Sequence, residues 1–214
     1  MQQISLHQVL PQVFAQRTDL ASEVWNTEVH FEKGNSYLIE ADSGMGKSTF
    51  CSYLLGYRHD YSGTIFFDGD DISQYQVGQW VDIRQRHISM LFQEMRLFVE
   101  LTAWENIVIK NQLTQHISVA DIERWLESLG IADKKDVKAG LLSQGQQQRV
   151  AFIRTLAQPF DFLVIDEPIS HLDDRNAELM ADILLHVKRQ TQCGIIATSI
   201  GKQLPLEYDY KLKL

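Results

Sequence analysis

The stretch Ala41-Asp42-Ser43-Gly44-Met45-Gly46-Lys47-Ser48-Thr49 has the residue types and spacing to hold a phosphate chain. Glycines let successive backbone N–H groups turn towards an anion, and the first turn of a following helix offers N–H groups that have no intrahelical partner. In the pattern GxxxxGK[ST] the lysine, here Lys47, reaches the β and γ phosphates as a point charge. The hydroxyl after it, Ser48, completes an octahedral Mg²⁺ shell with phosphate oxygens and water. The first glycine of that pattern is replaced by Ala41, whose methyl is tolerated where the backbone φ is negative. A second stretch, Phe162-Leu163-Val164-Ile165-Asp166-Glu167-Pro168, is an apolar run ending in two carboxylates. At the carboxyl end of a parallel strand such groups face the crevice where open α/β sheets bind ligands. Asp166 is expected to hold Mg²⁺ through water and the Ser48 hydroxyl, and Glu167 to deprotonate or orient the water that attacks the γ phosphate. A third stretch, Leu142-Ser143-Gln144-Gly145-Gln146, reads as a serine cap and glycine opening an amphipathic helix, whose N-terminus is suited to a second anion.

These groups need a scaffold, and the apolar pattern supplies one. Residues 4–9, 24–31 and 36–40 read as short strands, the last leading directly into the phosphate loop, and helix-compatible residues begin at Phe50. Strands are expected again at 62–67 and 88–92. From about 94 to 158 the pattern turns helical, with Thr102 opening one helix and Ser118 capping another whose apolar side includes Val119, Ile122, Leu126 and Leu129. Residues 162–165 and 194–198 are short, wholly apolar runs of the kind buried parallel strands require, joined by a helix over 175–189.

The chain has 214 residues, 44% apolar and 22% charged, which suits one soluble globular domain spanning 1–214. A net charge of -8 is the wrong sign for a partner that is nucleic acid. No apolar run is long enough to span a bilayer and the first residues lack a secretion-signal pattern, so a cytoplasmic location is expected. Cys51 and Cys193 are expected to be buried free thiols.

Taken in order, these stretches resemble the motifs of the ATP-binding-cassette (ABC) ATPases over nearly the whole chain. Residues 41–49 look like the Walker A loop, Gln93 after Leu91-Phe92 like the Q-loop, and Leu142 to Gln146 like the LSGGQ signature. Leu163 to Glu167 look like Walker B, and Ser170-His171-Leu172-Asp173 like the D-loop. The resemblance implies an α/β P-loop NTPase fold with a mixed β core, an N-terminal antiparallel β subdomain and an α-helical insert. It implies a second nucleotide-binding domain paired head to tail, so that Ser143, Gly145 and Gln146 meet the ATP held by the partner. Gln93 then touches the metal or the attacking water, Asp173 bridges the two sites, and an aromatic near residues 13–18, for which Phe14 is the candidate, stacks on adenine. Residues 68–107 look most like small bacterial cassettes that serve lipoprotein release, macrolide export or cell-division complexes. That resemblance implies a separate membrane permease as partner and a place on the inner face of the membrane.

The departures matter too. Gln144 replaces the first signature glycine, His171 stands where a small D-loop residue is usual, and Ser199 occupies the position of a histidine that contacts the γ phosphate. A serine hydroxyl is shorter and uncharged, so weak turnover with nearly normal ATP affinity is expected. A hydrolysis-impaired regulatory module and a soluble non-transport ABC ATPase are the alternatives. The second of these generally needs fused cassettes or a coiled-coil insert, and neither is present in this sequence.

Overall fold

The computed structural model describes residues 1–17, 20–167 and 173–214. Strands β1 (Gln3–Pro11), β2 (Glu28–Glu32), β4 (Tyr61–Phe67) and the two-residue β5 (Asp70–Asp71) form an antiparallel sheet in the order β2-β1-β4-β5. A second sheet contains β3 (Ser36–Glu40), β6 (Ile88–Leu91), β7 (Phe162–Asp166), β8 (Gly194–Ser199) and β9 (Tyr210–Lys213). Its order is β6-β7-β8-β3-β9 and every pairing in it is parallel. The mixture of strand directions therefore lies between two sheets, each uniform in itself.

The parallel strands read as unbroken apolar runs because both of their faces are covered. In β7, Leu163 and Ile165 pack into one core with the helical insert, whereas Phe162 and Val164 pack into a second core that includes the antiparallel sheet. Leu38 and its neighbours Tyr37 and Ile39 divide between the same two cores. Each such side chain stabilises the fold by about 1.5–3 kcal/mol when fully buried, so the crevice at the strand ends rests on a rigid support.

Helix α1 (Lys47–Leu54) follows β3 across the phosphate loop, and α2 (Val77–Asp82) precedes β6. The insert consists of α3 (Ala103–Asn111), α4 (Val119–Ser128) and α5 (Gln144–Leu156). Thr102 caps α3 in a reciprocal box with Glu105, and Ser118 caps α4, as their types predict. Helix α6 (Asp174–Thr191) joins β7 to β8 and completes a β-α-β unit.

Two expectations change. Residues 24–27 are not strand, because the Ser22 hydroxyl accepts from the backbone N–H groups of Val24 (3.1 Å) and Trp25 (2.8 Å), and Asn26 turns the chain at φ 56°. Val24 and Trp25 are apolar because they pack in the core, not because they pair with a neighbouring strand. Strand β9, at the edge beside β3, was not expected: its only cue is the short alternation of 210–213. Cys51 and Cys193 are free and buried, as expected. Among the described residues no helix is long and apolar enough to cross a membrane.

Candidate active site

The loop between β3 and α1 is built by two left-handed glycines, Gly44 at φ 82° and Gly46 at φ 97°, a region that side chains with a Cβ rarely enter. Gly46 is also the residue before the first helical turn, and no side chain caps that helix end, which leaves its N–H groups open to an anion. Ala41 has no positive φ, so its methyl costs the loop nothing, and its N–H donates to the Ser199 carbonyl at 3.2 Å. A Cβ on Gly46 would lie 3.1 Å from the Phe14 ring and 3.3 Å from Trp25.

Lys47 reaches back across the loop, donating to the carbonyls of Ala41 and Asp42 at 3.0 Å each, and lies 3.6 Å from Glu167 Oε1. The other oxygen of Glu167 accepts from Gln93 Nε2 at 3.0 Å. Three residues far apart in sequence thus converge as ammonium, carboxylate and amide. Glu167 holds a left-handed backbone at φ 49° just past the end of β7, which breaks the alternation of the strand. Asp166, one residue earlier, is 3% exposed and accepts from the Thr198 hydroxyl at 2.6 Å, which holds the carboxylate against β8.

A cleft of about 320 Å³ runs over the loop, lined among others by Phe14, Ser43, Gly44, Gly46, Lys47, Ser48, Thr49, Gln93 and Glu167. Asp42 and Met45 line a second pocket that also borders Ile200, and Asp166 is buried and does not line the cleft. Phe14 is buried, with the Arg17 guanidinium 5.6 Å from its ring centre. Ser199 is buried too, and its hydroxyl donates to the Lys202 carbonyl at 2.6 Å, closing the turn after β8. Its neighbour Ile200, not Ser199, lines the cleft.

The signature residues do not join this cleft. Ser143 caps α5 in a reciprocal box with Gln146, accepting from its N–H at 3.3 Å and donating its own N–H to Gln146 Oε1 at 2.9 Å. Ser143 and Gln144 are exposed, and neither Gln144 nor Gly145 has a positive φ, so the glycine-to-glutamine change is free of backbone strain. Arg149, one turn further along α5, donates to Gly145, Leu129 and Asn176, and burial pulls its pKa down. Asn176 in turn donates to Asp173, the cap of α6, and holds that carboxyl below its ordinary range. Ser170, His171 and Leu172 lie outside the described residues.

Three contributors carry no motif. Trp25 donates its indole N–H to the Met45 carbonyl at 3.1 Å and braces the phosphate loop from below. Thr198 positions Asp166. Arg154, near the end of α5, donates to the carbonyls of Met95 and Arg96, consecutive left-handed residues that follow Gln93. The Ser22 turn hints at Trp25's placement, whereas the other two depend on long-range packing.

Comparison with known proteins agrees with this architecture. A family model described as ABC transporter matches residues 24–170. The chain is 31% identical over 180 residues to the lipoprotein-releasing system ATP-binding protein LolD of Syntrophus aciditrophicus, covering 83% of this chain and 81% of that protein. It is 33% identical over 172 residues to the macrolide export ATP-binding/permease protein MacB of a Shewanella species, covering 78% of this chain and 26% of the longer protein. Among solved structures, the dimeric bacterial ABC transporter cassette MJ0796 superposes with a TM-score of 0.73 at 25% identity, over 91% of this chain and 87% of that one. The chain belongs to the ABC transporter family, as an ATP-binding cassette ATPase.

Proposed function

We propose that this chain binds MgATP over Lys47 and hydrolyses it slowly at the interface of a head-to-tail pair of cassettes, driving a separate membrane permease. The observation that carries the reading is the convergence of Lys47, Glu167 and Gln93 on one cleft. A γ phosphate seated there takes over the Lys47 ammonium from the loop carbonyls and meets the open N–H groups of α1. Glu167 and Gln93 flank the place from which water attacks, as base and as orienting amide. The Ser48 hydroxyl and the Asp166 carboxylate, held by Thr198, are hard oxygen donors of the kind Mg²⁺ takes, and would hold it. The ion's chemistry there is to neutralise charge on the phosphates.

Pairing is supported by the signature. The exposed Ser143 at the N-terminus of α5 does not line its own chain's cleft, so an anion bound there would come from another copy or a related cassette. ATP then acts as a clamp, its charge satisfied on both sides only when the two halves close. A permease segment would dock in the groove of about 640 Å³ beside Phe92, where exposed Val81, Phe98, Ile109 and Leu113 surround Arg84, Arg96 and Lys110. Burial pulls the Lys110 ammonium down to about 7. Cation–π contacts of Arg96 with Phe92 and of Arg84 with Tyr57 stiffen the groove next to Gln93, so an occupant would sense the site. Such docking would hold the cassette at the cytoplasmic face of the membrane.

Slow turnover is the expectation at Ser199, whose hydroxyl donates to the Lys202 carbonyl and is shorter than an imidazole. The same observation favours a second reading, a cassette that binds ATP while a partner with an intact histidine hydrolyses it. The test is Ser199→His in the purified chain, assayed for ATP turnover and affinity. A rise of about 10²-fold in turnover at unchanged affinity supports the impaired-site account. A fast wild type that the substitution leaves alone or slows refutes it.

A further inference from the structure

The outer face of the antiparallel sheet carries a group of side chains remote in kind from the nucleotide site. On β1 and β2, His7 lies directly opposite Glu28, and Ser5 opposite His30, so all four project from one face while Ile4 and Leu6 point into the core. Glu28 Oε1 is 3.7 Å from His7 Nε2 and 3.6 Å from His30 Nε2, and the three ligand atoms all lie within 4.8 Å of one another. We propose that His7, Glu28 and His30 form a binding site for a borderline divalent transition metal such as Zn²⁺, with the fourth position left to water or a partner's ligand.

Geometry supports this first. Metal–nitrogen and metal–oxygen bonds of roughly 2.0–2.1 Å to Zn²⁺ in a tetrahedron require ligand atoms about 3.3 Å apart. The two carboxylate–imidazole separations, 3.6 and 3.7 Å, and the imidazole–imidazole separation, within 4.8 Å, close to that edge by rotation of exposed side chains. Two imidazoles and a carboxylate are also the donor set that suits Zn²⁺ with one position open, and they are too few and too soft for Mg²⁺ or Ca²⁺.

The second support is the support of His30 itself. The Ser5 hydroxyl donates to Gln3 Oε1 at 3.0 Å, so its oxygen is left to accept, and it lies 2.9 Å from His30 Nδ1. In the tautomer with its proton on Nδ1, His30 donates to that oxygen and its Nε2 lone pair is free for a metal beside Glu28. A chain of this kind, in which the far nitrogen donates to a fixed acceptor, is what sets the tautomer and orientation of metal-binding histidines. His7 is steadied differently, its ring 4.9 Å from that of Phe66 on β4. The site is open to solvent, the side chains being 44% (His7), 67% (Glu28) and 44% (His30) exposed, so metal enters without opening the fold. Bound metal would staple β1 to β2.

The experiment is calorimetric titration of the chelator-stripped, nucleotide-free chain with ZnCl₂, alongside thermal unfolding. We expect one equivalent bound in the micromolar range and a raised unfolding temperature, as follows from binding the folded state alone. His7→Ala and His30→Ala should each weaken this binding by at least about 100-fold, and Ser5→Ala, which only frees the ring to turn, by about 10-fold. Asp166→Asn should leave it unchanged, which separates it from the nucleotide site. The side chains of His7 and His30 are exposed, and retained MgATP binding in the two histidine variants and in Ser5→Ala verifies folding. Zn²⁺ uptake that is undetectable at submillimolar metal, or that persists unchanged in both histidine variants, overturns the proposal and leaves the cluster as cross-strand ion pairs only.

Discussion

Glu167→Gln should make the chain bind MgATP more tightly while nearly abolishing its turnover. Without nucleotide, the carboxylate attracts Lys47 across 3.6 Å, and the two side chains are 14% and 5% exposed. At an effective dielectric constant near 20 that separation corresponds to a gross attraction of about 5 kcal/mol, most of it offset by the cost of burying both charges. ATP must draw Lys47 away from this pair and then bring phosphate charge close to the same carboxylate. Glutamine removes both obstacles and leaves the Gln93 contact able to form, because an amide oxygen still accepts. A net gain of about 1.4 kcal/mol, or 10-fold in affinity, is a conservative share of the gross term. Loss of the base should cost about 10²–10⁴ in rate. Calorimetry with MgATP and single-turnover phosphate release measure the two effects, and sedimentation should show the bound variant trapped as a dimer. A variant that binds ATP 10-fold more weakly than wild type, or that turns over as fast, would refute this reading of Glu167.

Other outcomes follow from the same geometry. Gly46→Ala should lower MgATP affinity at least 10-fold in the calorimeter, since a Cβ at φ 97° adds about 1–2 kcal/mol of backbone strain and presses on Phe14 and Trp25. An unchanged affinity would show that the loop does not need its left-handed residue. Asp161 should dominate stability in acid. Burial pushes its carboxyl up, but hydrogen bonds from His87, Lys33 and the terminal amine outweigh this and hold it at about 2, below the usual 3.8. Its contribution, about 2 kcal/mol, is therefore present above pH 3.8 and lost as pH falls through about 2. Denaturant unfolding of Asp161→Asn should fall short of wild type at pH 7 and match it near pH 2; an equal deficit at both would refute the linkage.

The phosphate loop was legible in the sequence because its chemistry dictates its spacing: glycines where φ is positive, then lysine and hydroxyl at the first helical turn. Asp166 and Glu167 were legible because an apolar run ending in acids has one natural place in a parallel sheet. What could not be read are the groups that reach the site from other segments. Trp25 looked like strand because it is apolar and buried, and its hydrogen bond to Met45 spans a fold that local pattern does not encode. Thr198 and Arg154 are likewise ordinary residues until packing sets them beside Asp166 and the Met95–Arg96 turn. Ser199 was singled out as a missing histidine, but that its hydroxyl would be spent on Lys202 follows only from the turn after β8.

The reading stands or falls on whether nucleotide is held by Lys47. Equilibrium binding of MgATP to wild type and Lys47→Ala measures this without requiring a partner or permease. The ammonium makes charge-assisted contacts worth about 1.5–3 kcal/mol each, and a phosphate chain offers it at least two acceptors. Saturable binding to wild type and an affinity lowered by about 100-fold or more in the variant is the predicted result, and equal affinity in the two proteins would contradict it.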